Sequence, residues 1–248
     1  MTVTYTTQFS AAQVHKFVEA TGDDNPLHQG DAPVVPAFLL VLWAKGRVEA
    51  ERLASPSALA SIEFRCKAPA RADEKITVSK RTKINDESTY FSLIAESSGI
   101  VRLEATLRYG PLEPRKRSVD LNEAPIQRRG FCHVDAETVA QFTSRSTFDY
   151  QGLALGTLSH ALLSHGSSVV RAQAAEGRYP VYACAEITLA PEIAQLGVED
   201  VLITRTAMRK AHELYRATTV ANAQDRMIYE ATALLSFVKK AELAAKPI

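Results

Sequence analysis

The sequence has almost no excess of charge of either sign. Its 248 residues include 29 basic and 28 acidic side chains, for a formal net charge of +1. A chain so close to neutral has no long-range field to attract nucleic acid or an anionic membrane surface. We therefore expect no nucleic-acid partner and favour a small solute as the ligand.

Cysteine is also scarce. The three cysteines, Cys66, Cys132 and Cys184, are far apart and form no C-x-x-C pair. This spacing argues against a disulfide framework and against a structural zinc site, and is typical of free thiols in a reducing compartment. No HExxH, Walker or GxGxxG pattern occurs, so the sequence predicts no metal.

Long apolar segments are missing as well. The longest one, residues 34–44, contains Pro36 and is shorter than the ~20 residues that a helix needs to cross a bilayer. The first residues, MTVTYTTQFSAAQ, lack the basic start and apolar core of a secretory signal. We therefore expect a cytoplasmic protein with no membrane span.

The most informative pattern that is present covers residues 9–28, FSAAQVHKFVEATGDDNPLH. Ser10 with Gln13 matches a capping box, and Gly22 is a helix stop, so a helix is predicted between them. The Asp-Asp-Asn-Pro that follows favours a turn, because Asx side chains bond nearby backbone groups. A turn alone would explain these residues, but His28 brings an imidazole close to the carboxylate of Asp23.

This pattern resembles the signature of the MaoC-like, (R)-specific enoyl-CoA hydratases, a branch of the hotdog fold. In that family the Asp and His of D-x-N-P-[LI]-H are the catalytic pair, which implies Asp23 and His28 here, with Asn25 in a supporting role. The implied reaction interconverts trans-2-enoyl and 3-hydroxyacyl thioesters in fatty-acid-type metabolism. The resemblance also implies an acyl-CoA or acyl carrier protein partner and no cofactor apart from the coenzyme A or phosphopantetheine of the substrate.

The segment after the motif, APVVPAFLLVLW, is apolar on every side. It predicts a helix that begins near Pro36 and is buried inside a curved sheet. The backbone amides of Ala37 and Phe38, at the start of this helix, are candidates for an oxyanion site. Short alternating segments after Ala58 predict antiparallel strands, with a hairpin turn at Ser98 and Gly99.

The second half repeats this plan, with a short amphipathic helix predicted at 134–143, a buried helix at 153–170 and strands after them, but it does not repeat the D-x-N-P-L-H motif. We therefore predict an α+β double hotdog, with a motif-bearing unit at 1–112, a basic linker at 113–129 and a second unit at 130–248. Arg128 and Arg129 are candidates for binding the phosphates of coenzyme A or an acidic carrier protein, although a solvated linker explains them too. A homodimer of double hotdogs is an additional arrangement that the sequence allows.

Two other functions stay open at this point. One is an acyl-CoA thioesterase, which also needs a carboxylate and a water molecule. The other is a catalytically impaired subunit that binds acyl thioesters or a partner, suggested by Ala37 where the family usually has glycine. A rival hotdog dyad uses a glutamate on the central helix, but the first acid there is Glu49, which disfavours it.

Overall fold

The computed structural model describes residues 2–51, 58–112, 126–130, 168–196 and 200–240 of the chain, with the backbone alone for 126–130. These residues form an α+β structure in which helices pack against one large antiparallel sheet. The α-helices within these ranges are α1 (Ala11–Thr21), α2 (Ala37–Glu51) and α3 (Ser168–Ala175), and 3-10 turns occupy Pro26–His28 and Pro191–Gln195.

The sheet in the described part of the chain has ten strands. They are β1 (Thr2–Thr7), β2 (Leu59–Cys66), β3 (Ile76–Ile84), β4 (Thr89–Ser97), β5 (Ile100–Tyr109), β6 (Ile126–Gly130), β7 (Arg178–Leu189), β8 (Val201–Ala211), β9 (Leu214–Ala223) and β10 (Arg226–Lys239). Their spatial order is β1-β3-β4-β5-β2-β7-β10-β9-β8-β6.

This order shows that the second half repeats the first. From either outer edge toward the centre, each set of five strands follows the same sequence order: first, third, fourth, fifth, second. The two sets meet where β2 pairs with β7, from Ser61 opposite Thr188 to Arg65 opposite Cys184. One continuous sheet made of two equivalent halves confirms the predicted double hotdog.

Local sequence explains where α1 begins and ends. The Ser10 hydroxyl accepts a hydrogen bond from the backbone N–H of Gln13, whose side chain accepts one from the Ser10 N–H. At the other end Gly22 adopts a left-handed conformation with φ of 70° and ψ of 26°, which is readily accessible only to glycine. The predicted helix is therefore confirmed, and it delivers Asp23 directly after its last turn.

Helix α2 is the buried helix that the apolar segment predicts. It begins at Ala37, directly after Pro36, and most of its side chains lie in the core. Phe38 is fully buried, and its ring contacts Phe64 of β2 and Tyr182 of β7 edge to face, with centroids 5.2 and 5.5 Å apart. The first turn of α2 is thus fixed against both halves of the sheet.

Some segments predicted for the linker and the second half lie partly or wholly outside the residues that the structure describes. Strand β6 begins at Ile126, so the last four residues of the predicted linker, 126–129, are strand. The predicted amphipathic helix at 134–143 lies outside the described residues, and so does most of the predicted buried helix at 153–170. Helix α3 begins at Ser168 and precedes β7 along the chain, as α2 precedes β2 in the first half.

Candidate active site

The turn after α1 is built by its own short polar side chains. The Asn25 N–H donates to Oδ1 of Asp23 at 3.1 Å, and the Asn25 side-chain oxygen accepts from the Leu27 N–H at 3.1 Å. The His28 N–H donates to the Asn25 carbonyl at 2.9 Å, which closes the 3-10 turn. Asp23, Asn25 and His28 are all buried, so the turn holds three polar groups in one fixed arrangement.

The second unit braces this turn. Asn25 donates a hydrogen bond from Nδ2 to the backbone carbonyl of Pro180 on β7, at 2.9 Å. Lys240, just after β10, donates from Nζ to the Pro26 carbonyl at 3.2 Å. Asn25 therefore uses its side chain to join the two units, and its supporting role in catalysis stays a prediction.

The imidazole of His28 is held in one orientation beside the Asp23 carboxylate. Its Nδ1 lies 2.7 Å from the carbonyl oxygen of Val34. A carbonyl only accepts, so Nδ1 carries the hydrogen and the neutral ring presents a lone pair at Nε2. That Nε2 is 3.6 Å from Oδ2 of Asp23, which is too far for a direct hydrogen bond.

A cavity of about 320 Å³ opens next to this pair. Its wall is mostly apolar and comes from both units: residues 34–37 and 66–70 belong to the first unit and residues 180–183 to the second. The polar lining residues include Asn25 and His28, and the basic ones are Lys67 and Arg102. Apolar walls with a few convergent polar groups are typical of sites for small organic ligands.

The structure brings three of the seven predicted site residues to this cavity. His28, Asn25 and Ala37 line it, whereas the fully buried side chain of Asp23 contacts the His28 ring rather than the cavity. The Phe38 ring lies in the core, so only its backbone is a candidate for the oxyanion site.

Arg128 and Arg129 are not brought to the cavity by the described backbone. They lie on β6, at the outer edge of the sheet, where they pair with Ile203 and Leu202 of β8. Strands β8 and β9 separate β6 from β10, which contributes Ser236 and Val238 to the cavity wall. Their predicted contact with substrate phosphates stays a prediction.

Sequence reasoning missed Arg102 and the β7 part of the wall. Arg102 lines the cavity with a side chain that is 2% exposed, and its Nη2 donates to Oε2 of Glu74 at 3.0 Å. Nothing in the alternation of polar and apolar residues along β5 indicates that an arginine is directed inward. The contribution of residues 180–183 depends on the pairing of β2 with β7, which no local pattern specifies.

Glu49, the glutamate of the rival dyad, lies away from this site. It accepts hydrogen bonds from Lys45 at 2.9 Å and from the Tyr109 hydroxyl at 3.1 Å. It does not line the cavity, and it lies twelve positions after Ala37 on α2, or roughly 18 Å at 1.5 Å per residue. Within the described ranges, no three His, Cys, Asp or Glu side chains are placed to hold a metal ion.

Cys66 also lines the cavity, and its thiol is a poor nucleophile. Burial, with a smaller contribution from the neighbouring Cys184, raises the pKa of Cys66 to about 12 from its ordinary value of 9.0. A rise of this size lowers the thiolate fraction near neutral pH by about 10³-fold. Covalent catalysis by Cys66 is therefore disfavoured.

We expect iodoacetamide to label Cys66 at least 100-fold more slowly in the native protein than in urea, because the thiolate is the reacting species. Peptide mass spectrometry after timed quenching measures the rate at each cysteine separately. A Cys66→Ala variant, in which only this labelled peptide disappears, is the control. Rapid native labelling of Cys66 at neutral pH would contradict the raised pKa.

The described part of the chain contains no helix with the length and apolar character required to cross a membrane. No family model matches this chain, and no curated protein matches it. Comparison with solved structures, by contrast, finds many that share its fold.

Three of these solved structures illustrate the range of proteins that share the fold. A MaoC-like dehydratase has 10% identity and a TM-score of 0.62, over 96% of this chain and 98% of its own. An acyl-ACP thioesterase from Bacteroides thetaiotaomicron has 10% identity and a TM-score of 0.61, over 95% and 98%. A conserved hypothetical protein of Mycobacterium tuberculosis, described as a double hotdog, has 9% identity and a TM-score of 0.58, over 96% of each chain. The chain therefore has the double hotdog fold, which it shares with proteins described as dehydratases and as thioesterases.

Proposed function

We propose that this protein is a hydratase or dehydratase that interconverts trans-2-enoyl and (R)-3-hydroxyacyl thioesters of coenzyme A or an acyl carrier protein. The observation that carries the proposal is the buried pair of Asp23 and His28: Nε2 lies 3.6 Å from Oδ2, and His28 lies at the wall of an apolar cavity. The resemblance of residues 9–28 to the MaoC-like signature and the fold shared with a MaoC-like dehydratase support it.

The pair is suited to activating one water molecule. A water that donates one hydrogen to Nε2 of His28 and the other to Oδ2 of Asp23 keeps its lone pairs directed at the β-carbon of the enoyl group. As the C–O bond forms, the pair accepts one proton from the water and returns one proton to the α-carbon. The reaction adds one water in total, and both side chains end in their starting state.

The start of α2 is suited to the thioester carbonyl. Backbone N–H groups in the first turn of a helix have no partner within that helix, and the helix dipole favours negative charge at this end. Ala37 is the first residue of α2 and lines the cavity. In the proposed mechanism the amides of Ala37 and Phe38 donate to the carbonyl oxygen and stabilise the enolate formed when water attacks.

The test is a hydration assay with crotonyl-CoA and longer trans-2-enoyl-CoAs, followed by loss of the enoyl thioester absorbance. We expect turnover with (R)-3-hydroxyacyl-CoA as the product, identified by chiral chromatography after hydrolysis. The same assay from the 3-hydroxyacyl side measures dehydration. An (S) product, or no turnover over the full range of chain lengths, would contradict the proposal.

A thioesterase is the second candidate, because solved structures with this fold include acyl-ACP thioesterases at similar TM-scores. The same water, directed at the thioester carbonyl instead of the β-carbon, would release a free thiol. A thiol reagent with saturated and unsaturated acyl-CoAs distinguishes the two reactions. Thiol release from a saturated acyl-CoA, without hydration of the matching enoyl-CoA, would favour the thioesterase.

A further inference from the structure

Arg102 reaches the cavity because of an irregularity in β5. The pairing of β4 with β5 shifts between Ala95, opposite Leu103, and Glu96, opposite Val101. Arg102 therefore has no partner residue on β4, which is the arrangement of a β-bulge. A bulge places an extra residue in one strand and redirects its side chain, often next to a functional site. Here the bulge residue, Arg102, lines the cavity and has a buried side chain, in a strand whose other charged side chains, Glu104 and Arg108, are only partly buried.

The guanidinium has hydrogen-bonding capacity that its described neighbours do not use. Only Nη2 is paired, with Oε2 of Glu74 at 3.0 Å, while Nε and Nη1 are buried without a partner among the described residues. An arginine side chain has five N–H donors, and buried donors without acceptors are costly and rare in native proteins. Arg102 lines the cavity, so an acceptor on a bound ligand is one way to pair these two buried nitrogens.

We propose that Arg102 binds an oxyanion of the substrate inside the cavity, and that this oxyanion is a carboxylate on the acyl chain. The inference rests on the proposed function, in which the substrate is an acyl thioester. It narrows that substrate to thioesters whose acyl chain ends in a negative charge. A guanidinium forms strong, charge-assisted hydrogen bonds with carboxylate oxygens. It remains charged at every physiological pH, so it provides a permanent preference for such an acyl group.

The phosphates of the thioester carrier are the other source of an oxyanion. They are larger than a carboxylate and carry more charge, so burying them costs more desolvation energy. The Arg102 side chain is 2% exposed at a cavity of about 320 Å³. Lys67, which also lines the cavity and is 43% exposed beside Glu104, is in a better place for a hydrated phosphate. Burial therefore favours the carboxylate for Arg102.

Thioether analogues test this binding without any turnover. The probes are S-butyl-CoA and S-(3-carboxypropyl)-CoA, which differ by one carboxylate, and the matching thioethers of N-acetylcysteamine, which lack every phosphate. We expect the wild-type protein to bind each carboxylated probe about 10- to 100-fold more tightly than its butyl partner in calorimetry or competition binding. Arg102→Met is expected to remove this preference and to change the affinity of the protein for the two butyl probes by less than about threefold.

Two further variants separate binding from folding. Arg102→Lys keeps the positive charge and should retain part of the preference, and it serves as the test if Arg102→Met does not fold. Arg108→Met removes an arginine of the same strand that donates to the Ser61 hydroxyl at 3.4 Å and does not line this cavity. It should leave all four affinities unchanged.

The outcomes distinguish the two sources of the oxyanion. If Arg102→Met weakens both coenzyme A probes equally and neither N-acetylcysteamine probe, Arg102 binds an oxyanion but the source is phosphate, which overturns the carboxylate assignment. If no affinity changes, or if Arg102→Lys weakens all four probes alike, the residue is structural and the inference fails. A carboxylate preference in a protein that hydrates no enoyl thioester would overturn the proposed function and leave this inference standing.

Discussion

Asp23→Asn and His28→Ala are each expected to lower kcat for enoyl-thioester hydration by about 10²–10⁴-fold, the usual contribution of a general acid or base. Asp23→Asn keeps the shape of the side chain and the acceptor for the Asn25 N–H, but removes the group that can take or return a proton. His28→Ala removes the Nε2 lone pair at the cavity wall. Initial rates with saturating crotonyl-CoA measure the loss, and the effect should be in kcat more than in KM.

The matched control removes an imidazole elsewhere. His212 is exposed in the turn between β8 and β9 and has a positive φ of 57°, so His212→Asn is compatible with the backbone and should leave kcat unchanged. Circular dichroism and thermal unfolding of all three variants show whether the fold is intact. Near-normal turnover in folded Asp23→Asn or His28→Ala would exclude the pair as the acid and base.

The turn after α1 could be predicted because its determinants are local. The capping box at Ser10 and Gln13 begins α1, and a left-handed Gly22 ends it. The Asn25 side chain and Pro26 then force a 3-10 turn that places His28 near Asp23. Each of these effects acts over a few residues, so the sequence contains all the information that they require.

The cavity could not be predicted in the same way, because its second wall comes from distant parts of the chain. Pro180 accepts the hydrogen bond from Asn25 across 155 positions, and that contact exists only because β2 pairs with β7. Local pattern does not specify which strands meet at the centre of a ten-stranded sheet. The repeat in the sequence indicates that two similar units exist, and the structure adds how they join.

Arg102 shows how a local pattern can mislead. Leu103, Leu107 and Tyr109 are buried residues at alternate positions of β5, so strict alternation predicts that Arg102 points outward with Glu104. The register shift opposite Glu96 adds one residue to β5 and reverses the direction of the side chain. A bulge depends on the pairing of two strands, and for that reason the alternation of a single strand does not reveal it.

The second unit, although it lacks the motif, contributes directly to the site. It accepts the Asn25 hydrogen bond, donates from Lys240 to Pro26, and forms the wall at residues 180–183. Under the proposed function, the first unit provides the chemistry and the second unit shapes the space for the acyl group. Such a division would require the motif only once in a chain whose strand order repeats.

Phe38→Ala is expected to lower the free energy of unfolding by about 3–5 kcal/mol, as large-to-small changes at buried aromatic positions do. Phe38 is fully buried and packs edge to face against Phe64 and Tyr182, which also contact each other at 5.6 Å. The variant leaves a cavity between α2, β2 and β7, and loses two aromatic pairs worth about 0.5–1.5 kcal/mol each. Equilibrium unfolding in urea measures the change.

Trp43, the one tryptophan of the chain, lies on α2, so its fluorescence reports on the first unit while far-ultraviolet circular dichroism reports on both. Because Tyr182 belongs to the second unit, we expect Phe38→Ala to shift both transitions together. Phe38→Leu fills most of the space, so it should lower the free energy of unfolding by less than half as much as Phe38→Ala. Ile84 is 76% exposed, so Ile84→Ala should change the free energy of unfolding by at most ~0.5 kcal/mol. If the fluorescence transition moves alone, the units unfold independently, and the ring cluster does not couple the motif-bearing unit to its partner.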